Sequence, residues 1–197
     1  FYTAENMIFF SMGEIDFRQI IRFAEKYLTI IPGNISAIQR NKPEFTTPRQ
    51  VVKKKKTHQS HVIIGAKAYD MHNKKRVPLF LLNNLLGGPG MNSRLNVSLR
   101  ENHGLVYNVE SNITSYSDTG FCSIYYGTDP KNRQKTYDLI EKELAIFRDK
   151  QLSVHQLTAA KKQAIGQMVV ASDNKEGLFL GLGKSFLHYN KYDSLQE

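Results

Sequence analysis

The sequence predicts an α+β fold in which an antiparallel β-sheet carries its helices on one face. Segments with the apolar spacing of strands and helices follow one another irregularly: one strand, two helices, two strands and then two or three helices. Such an order is typical of antiparallel sheets, whereas regular alternation predicts a parallel sheet. The link Tyr116-Ser117-Asp118 between two of the strands fits an antiparallel hairpin. At 197 residues, 41% hydrophobic and 23% charged, the chain has an ordinary globular composition and one or two domains.

The N-terminal part is expected to close a preceding domain. Apolar and aromatic residues predict a strand at 7–12, and apolar residues at helical spacing predict a helix at 17–28 with Asp16 as its N-cap. This strand and helix have no partner strands of their own, so residues 1–30 are interpreted as the end of a domain that is otherwise absent. Residues 31–56 contain prolines, asparagines and little periodicity, which predicts an interdomain linker.

A second domain is predicted to span residues 57–197, with its C-terminal end incomplete. Gly104 is expected to end a short helix with a positive φ, and Ser153 with Gln156 matches a capping box. Asp129, which precedes a proline, is the expected N-cap of the helix that follows it. The predicted strands are 59–69, 106–115 and 119–127, and the predicted helices are 74–86, 93–102, 130–149, 153–171 and 175–189.

The distribution of the positive charge does not favour a nucleic-acid-binding function. The formal net charge is +9, but only the run Lys53–Lys56 is concentrated, and the other basic residues share helix faces with acids. A solvated basic edge explains this distribution better than nucleic-acid binding, because no aromatic residues interleave with the lysines. An attraction to acidic peptides or to an anionic surface is the remaining alternative.

Cysteine content and apolar runs exclude further classes. Cys122 stands alone, so no intrachain disulfide forms, and its strand-like surroundings favour a buried small side chain over a catalytic thiol. No apolar run is long enough to cross a bilayer. Because Phe1-Tyr2-Thr3 is not a natural start, the chain is expected to begin inside a longer protein.

The sequence contains no metal-ligand or nucleophile motif. Neither HExxH nor HxxEH occurs, and only His58 and His61 lie close together, without an acid nearby to complete a ligand set. In a strand their spacing points the two side chains to opposite faces, so we interpret them as a chance surface pair. The glycines at Gly87, Gly88 and Gly90 match no phosphate-binding loop, and no G-x-S-x-G elbow is present.

Arg100 and Tyr107 remain as candidates for a functional role. A guanidinium is a fixed fork of donors suited to a peptide carbonyl or carboxylate, and a tyrosine hydroxyl can donate to a developing oxyanion. The two side chains therefore have the chemistry to orient a scissile peptide bond. From spacing alone, an arginine on a helix surface and a tyrosine in a strand are equally well explained without any such role.

Six short motifs, two of which contain Arg100 and Tyr107, form a combination far beyond chance. They are Leu86-Gly87-Gly88, Ser93-Arg94-Leu95, Leu99-Arg100-Glu101, Gly104-Leu105-Val106-Tyr107, Tyr116-Ser117-Asp118-Thr119-Gly120 and Tyr126-Gly127-Thr128-Asp129-Pro130. Together they resemble the second domain of the insulinase (pitrilysin) family of zinc metallopeptidases, inverzincins that include enzymes like the mitochondrial processing peptidase. The resemblance covers essentially the whole chain: Tyr2 to Leu28 is similar to the closing strand and helix of the family's first domain, and 59–189 to most of its second.

The resemblance implies a two-domain unit with the family's metallohydrolase fold. The first domain holds zinc through an inverted motif and a distal glutamate, and the second supplies Arg100 and Tyr107 as substrate-binding residues. It further implies a zinc cofactor in the full-length protein, a peptide substrate and pairing of two chains as a homodimer or heterodimer. The zinc motif is expected before residue 1, so no catalytic and no metal-ligating residue is assigned within this chain. The compartment stays open between a bacterial cytoplasm and periplasm.

Two functions are consistent with this resemblance. The first is the substrate-contacting half of a zinc endopeptidase that acts on unfolded peptides. The second is a non-catalytic partner or scaffold subunit of a heterodimeric peptidase of the same family, which supplies Arg100 and Tyr107 to an active chain. The residues upstream of Phe1 distinguish the two, because only the enzyme needs an intact zinc motif there. A basic nucleic-acid-binding domain is the third and weakest alternative.

The isolated chain is expected to fold but to hold no stoichiometric zinc and to cleave no peptide, because its sequence contains no zinc-ligand set. Metal analysis after dialysis tests this, with the full-length protein as the positive control. One tightly held zinc ion per dialysed chain contradicts the prediction.

Overall fold

A computed structural model describes residues 3–33, 43–44 and 47–191. Residue contacts divide the chain into two units, Phe1–Gln39 together with Ile165–Glu197, and Arg40–Ala164. Short 3-10 helices lie at Ala4–Asn6 and Pro130–Asn132. The longer elements are α1 (Phe17–Leu28), β1 (Ser60–Ala68), α2 (Arg76–Gly87), a π-helix (Asn96–Glu101), β2 (Val106–Ser115), β3 (Gly120–Thr128), α3 (Arg133–Asp149), α4 (Val154–Ser172) and α5 (Lys175–Tyr189).

The three strands found in the described residues form one antiparallel sheet in the order β1-β3-β2. The central strand β3 pairs with β1 from Ser60 opposite Thr128 to Ala68 opposite Gly120. It pairs with β2 as a hairpin whose innermost pair is Ser115 and Gly120. Every backbone group of β3 that points sideways therefore has a neighbouring strand, while β1 and β2 are the two edges.

Helices cover one face of this sheet, and in the described residues side chains of the opposite face, called the open face below, are exposed. Leu95, Leu99, Tyr126 and Ile140 have no exposed surface, and burial of each such side chain contributes roughly 1.5–3 kcal/mol. On the opposite face Ile63 is 68% exposed. The predicted α+β class, with helices on one side of an antiparallel sheet, is confirmed. The core cluster consists of Leu86, Leu95, Leu99, Leu105, Val106, Val109, Ile124, Tyr126 and Ile140.

The predicted helices and strands from residue 17 onwards form with bounds that shift by at most three residues. The capping box is confirmed, because Ser153 N donates to Gln156 Oε1 at 3.0 Å and Gln156 N donates to Ser153 Oγ at 3.2 Å. Asp16 caps α1 as predicted, with its carboxylate accepting from Arg18 N at 3.0 Å. The short helix predicted at 93–102 takes π geometry over Asn96–Glu101.

The strand predicted at 7–12 does not form. The backbone is extended at Met7, with φ −130° and ψ 146°, but 7–12 carries no strand assignment. A strand needs a partner to complete its hydrogen bonds, and in the described residues all strands lie between 60 and 128. The strand predicted at 7–12, for which no partner strand was expected within this chain, is therefore wrong in the described structure.

Parts of the predicted linker, residues 34–42 and 45–46, lie outside the described residues, as does Tyr2 at the start of the predicted closing segment. The lysine run Lys53–Lys56 is described and is exposed at all four positions, which agrees with a solvated basic edge. The division into 1–30, 31–56 and 57–197 stays a prediction.

Gly104 has φ +57°, as predicted, and a Cβ built at this position meets no atom within 4 Å. A substitution there is therefore opposed by backbone conformation alone. We expect Gly104→Ala to lower the free energy of unfolding by roughly 1–2 kcal/mol. Chemical denaturation followed by circular dichroism measures this change.

The matched control is Gly166→Ala in α4, where a Cβ also meets nothing within 4 Å but the backbone is helical. This change should raise the free energy of unfolding by roughly 0.5–1 kcal/mol, because alanine is the better helix former. Equal effects at the two positions contradict the conformational explanation.

Candidate functional site

Arg100 lies on the π-helix, directly after Leu99, which packs into the core. Asn102 N donates to Val97 O at 2.9 Å, a bond that spans five residues and defines the wider π turn. Leu99 is fully buried, whereas Arg100, the next residue, is exposed. Burial of the leucine therefore directs the arginine to solvent. Single π turns of this kind are frequent at functional sites.

The guanidinium of Arg100 has no counter-charge in the part of the chain that the structure describes. Within the described part of the chain it forms no hydrogen bond and no ion pair, since the two ion pairs there involve Arg94 with Glu143 and Arg148 with Asp149. An exposed arginine without a partner keeps its planar fork of donors available for a carboxylate or carbonyl of a ligand.

A tight turn connects this arginine to the strand that carries Tyr107. Gly104 N donates to Arg100 O at 3.0 Å, and Leu105 N donates to Leu99 O at 2.8 Å. The left-handed backbone of Gly104 makes both bonds possible, because it reverses the chain at the helix end. The turn therefore places the two candidate residues on consecutive elements.

Tyr107 occupies a β-bulge at the beginning of β2. Val106 is opposite Thr128 and Asn108 is opposite Gly127, so Tyr107 has no partner of its own on β3. A bulge re-aims the side chain of the extra residue. Tyr107 is 59% exposed, and its hydroxyl donates to Asp129 Oδ1 at 3.1 Å. The sequence carries only a small trace of this irregularity: the buried residues Val106 and Val109 are three apart, whereas an unbroken strand places residues of one face two apart.

Asp129 is a residue of the candidate site that the sequence analysis placed in a different role, as a helix N-cap. Its backbone oxygen accepts from Asn132 N at 2.9 Å, but its carboxylate makes no helix-cap bond and instead accepts from Tyr107. The hydrogen bond to Asp129 and then the negative charge of Asp129 raise the pKa of Tyr107 above its ordinary value. Tyr107 is therefore a neutral donor at physiological pH, and its single hydroxyl proton is directed at Asp129.

The residues that could hold a metal do not come together. In residues 3–33, 43–44 and 47–191 no three histidine, cysteine, aspartate or glutamate side chains form a cluster. His61 forms a hydrogen bond with Tyr125 instead, with Nδ1 and the hydroxyl oxygen 2.8 Å apart.

The surroundings of Cys122 do not favour a catalytic thiol. Cys122 is half-buried in β3, where its thiol donates to Ala66 O at 3.4 Å and burial raises the pKa of the thiol. A thiol with a raised pKa is a poor nucleophile, which supports the interpretation of Cys122 as a packed small side chain. None of the helices in the described ranges has the length and hydropathy to cross a membrane.

Comparison with known proteins gives one consistent relationship. Residues 1–164 match the family described as the peptidase M16 inactive domain. The chain is 30% identical over 197 residues to the uncharacterized zinc protease YmxG of Bacillus subtilis, which covers 100% of this chain and 47% of that protein. It is 23% identical over 212 residues to the mitochondrial-processing peptidase subunit alpha of Rattus norvegicus, covering 95% of this chain and 40% of that one. The chain thus spans about half the length of the curated relatives it matches.

A solved structure agrees on the fold. The crystal structure of a protease from Helicobacter pylori superposes with a TM-score of 0.74 and 19% sequence identity, over 91% of this chain and 44% of that one. At this identity the similarity concerns the fold alone.

Asp129→Asn should lower the pKa of Tyr107. The substitution removes the negative charge that disfavours the phenolate and weakens the hydrogen bond that holds the neutral phenol. Titration of ring-labelled tyrosine by NMR measures the pKa, and Tyr107→Phe identifies the resonance. As a control, Asp118→Asn changes a carboxylate in the β2–β3 turn and should leave this pKa unchanged. An unchanged pKa in Asp129→Asn contradicts the assigned hydrogen bond.

Proposed function

Because this chain belongs to the M16 peptidase family, we propose that it is the domain of a zinc endopeptidase that contacts the substrate and does not bind the metal. In this proposal 57–197 is the substrate-contacting domain, 31–56 is the linker, and 1–30 closes the zinc-bearing domain. The observation that carries the proposal is the position of two exposed side chains on either side of one glycine turn: Arg100, which has no side-chain partner among the described residues, and Tyr107 in its bulge.

The described residues do not fit a zinc ion, because no ligand cluster is present among them. The proposal therefore assigns the metal to the part of the family's length that this chain does not span. The names of relatives support a zinc protease of about twice this length, since one of them is called a zinc protease and is matched over 47% of its length.

Arg100 binds the peptide in the proposed mechanism. Its fork of donors can hold a backbone carbonyl or carboxylate through two parallel hydrogen bonds, and no acid among the described residues has to be displaced first. Such a contact exists both in the bound substrate and in the transition state. Arg100 thus contributes mainly to substrate affinity and orientation.

Tyr107 acts differently, because its hydroxyl proton is already directed at Asp129. When a peptide is bound, rotation of the hydroxyl can redirect this donor to the oxygen of the scissile carbonyl. The gain is largest once negative charge develops on that oxygen. Tyr107 therefore contributes mainly to the rate of the chemical step, while Asp129 holds the ring in position before reaction.

A non-catalytic partner subunit is the second candidate. One relative is the alpha subunit of the mitochondrial-processing peptidase of Rattus norvegicus, and its name identifies one subunit of a peptidase. Arg100 and Tyr107 suit this role equally well, because neither depends on a metal in its own chain. A homodimer or heterodimer is therefore part of the proposal.

In the full-length protein, Arg100→Ala and Tyr107→Phe should each slow peptide cleavage without changing folding or zinc content. Loss of one oriented donor costs about 3 kcal/mol, roughly a hundredfold in rate. The Tyr107 change should appear mainly in kcat, and the Arg100 change in KM as well. Steady-state kinetics on a quenched fluorescent peptide measure both constants.

Matched controls are Tyr116→Phe and Arg49→Ala, which alter the same residue types at exposed positions elsewhere on the chain. Each control should change stability and activity by no more than about 0.5 kcal/mol. Wild-type activity in both test variants contradicts the role of this pair.

Mixing the Arg100→Ala protein with a variant that lacks the zinc ligands tests where the pair acts. If one chain supplies the pair to the zinc site of another, mixed dimers regain part of the activity. If the pair acts within its own chain, the mixture stays as inactive as its components.

A further inference from the structure

The open face of the sheet carries a polar pair that the proposed function does not use. His61 on β1 and Tyr125 on β3 point away from the core, because their neighbours Val62 and Tyr126 pack towards it. His61 Nδ1 and the Tyr125 hydroxyl lie 2.8 Å apart, and the two ring planes are inclined by only 15°. The histidine is thus held by a neighbouring strand and is not a freely moving surface side chain.

Gly127 lies beside this pair. It lies directly opposite His61 on β3. A Cβ at 127 would lie 3.7 Å from Gln59 Oε1, 3.8 Å from the Tyr125 hydroxyl and 4.0 Å from His61 Nδ1. Three polar atoms therefore converge above a strand position that has no side chain, and this end of the open face is polar.

The pair presents one donor and one acceptor to the outside in either protonation arrangement. If the Tyr125 hydroxyl donates to Nδ1, then Nε2–H of His61 is an outward donor and the phenol oxygen accepts. If Nδ1–H donates to the hydroxyl oxygen, Nε2 accepts and the hydroxyl proton is free to donate. A peptide group offers the complementary set, one N–H and one C=O.

The pair lies close to the proposed peptide-binding residues. Gly127 is opposite His61 on one side and Asn108 on the other, and Tyr107 precedes Asn108 in the bulge. Neighbouring strands are about 4.8 Å apart, so His61 is roughly 10 Å across the sheet from this position. An extended peptide rises about 3.3 Å per residue, so about three residues cover that distance.

Apolar side chains continue the same face beyond the pair. Ile63 is 68% exposed and Phe121 is 44% exposed, and both belong to strands whose inner faces are buried. A polar pair that matches a peptide group, followed by exposed apolar side chains, suits an unfolded polypeptide with mixed side chains.

We infer that His61 and Tyr125 form a second peptide-binding subsite, which holds the backbone of an extended polypeptide about three residues away from the peptide group near Tyr107. The inference rests on the proposed function and extends its binding surface from the glycine turn across the open face of the sheet. The occupant is an extended stretch of the same unfolded substrate.

Binding of fluorescein-labelled β-casein, an unfolded polypeptide, to the full-length protein tests this subsite. Zinc is removed with a chelator so that binding is measured by fluorescence polarisation without cleavage. His61→Ala and Tyr125→Phe should each raise Kd roughly three- to tenfold, the effect of losing one neutral hydrogen bond. His61→Gln, which keeps a donor and an acceptor, should bind more tightly than His61→Ala.

Two controls match the chemistry of the test variants. His58→Ala removes the exposed histidine three positions earlier, and Thr114→Val removes one hydroxyl at the other end of the same face. Both should leave Kd and the thermal unfolding midpoint unchanged. Unchanged Kd in both test variants, equal weakening by the controls, or a change in oligomeric state in place of a change in Kd overturns the subsite.

The outcome separates the subsite from the proposed function. If the zinc-loaded wild-type protein binds β-casein but never cleaves it, and the variants still weaken binding, the subsite stands and the peptidase assignment fails. If the wild type cleaves β-casein and the variants bind it normally, the peptidase assignment stands and the subsite fails. Absence of any binding by the wild type overturns the subsite.

Discussion

Burial of one face of β3 is the constraint on which the site depends. Ile124 and Tyr126 of this central strand are covered by the helical side, and both neighbouring strands take their register from it. Leu99 packs into the same core, so the helical turn that carries it lies against the sheet. Arg100 then points to solvent as a direct consequence. The pairing of β2 with β3 also places Gly127 opposite Asn108, the residue that follows Tyr107 in the bulge. The open face of the sheet therefore begins beside this bulge.

Elements with a strong local signal were predictable from the sequence. The capping box at Ser153 and Gln156 and the left-handed Gly104 follow from chemistry within a few residues, and both are confirmed. Arg100 and Tyr107 could be singled out by their chemistry and by a family resemblance. The family and the fold are confirmed, whereas the roles of the two residues stay a prediction.

Features that depend on contacts distant in sequence were not predictable. The hydrogen bond between Tyr107 and Asp129 joins residues 22 positions apart in the sequence. The hydrogen bond between His61 and Tyr125 joins residues 64 positions apart. The histidine looked like a chance surface residue because nothing near it in sequence completes a site. The strand expected at 7–12 failed for the same reason, since pairing depends on a neighbour that a local pattern cannot supply.

The hydrogen bond between Tyr107 and Asp129 has two opposing effects on the proposed chemistry. It holds an exposed ring in one orientation, which reduces the entropy lost when a peptide binds. It also occupies the one proton that an oxyanion needs, so the donor is released only where the new acceptor is stronger than the carboxylate. A neutral substrate carbonyl does not meet that condition as well as a developing oxyanion does. In the proposed mechanism this arrangement favours the transition state over the bound substrate, and Arg100, which has no side-chain partner among the described residues, holds the substrate itself.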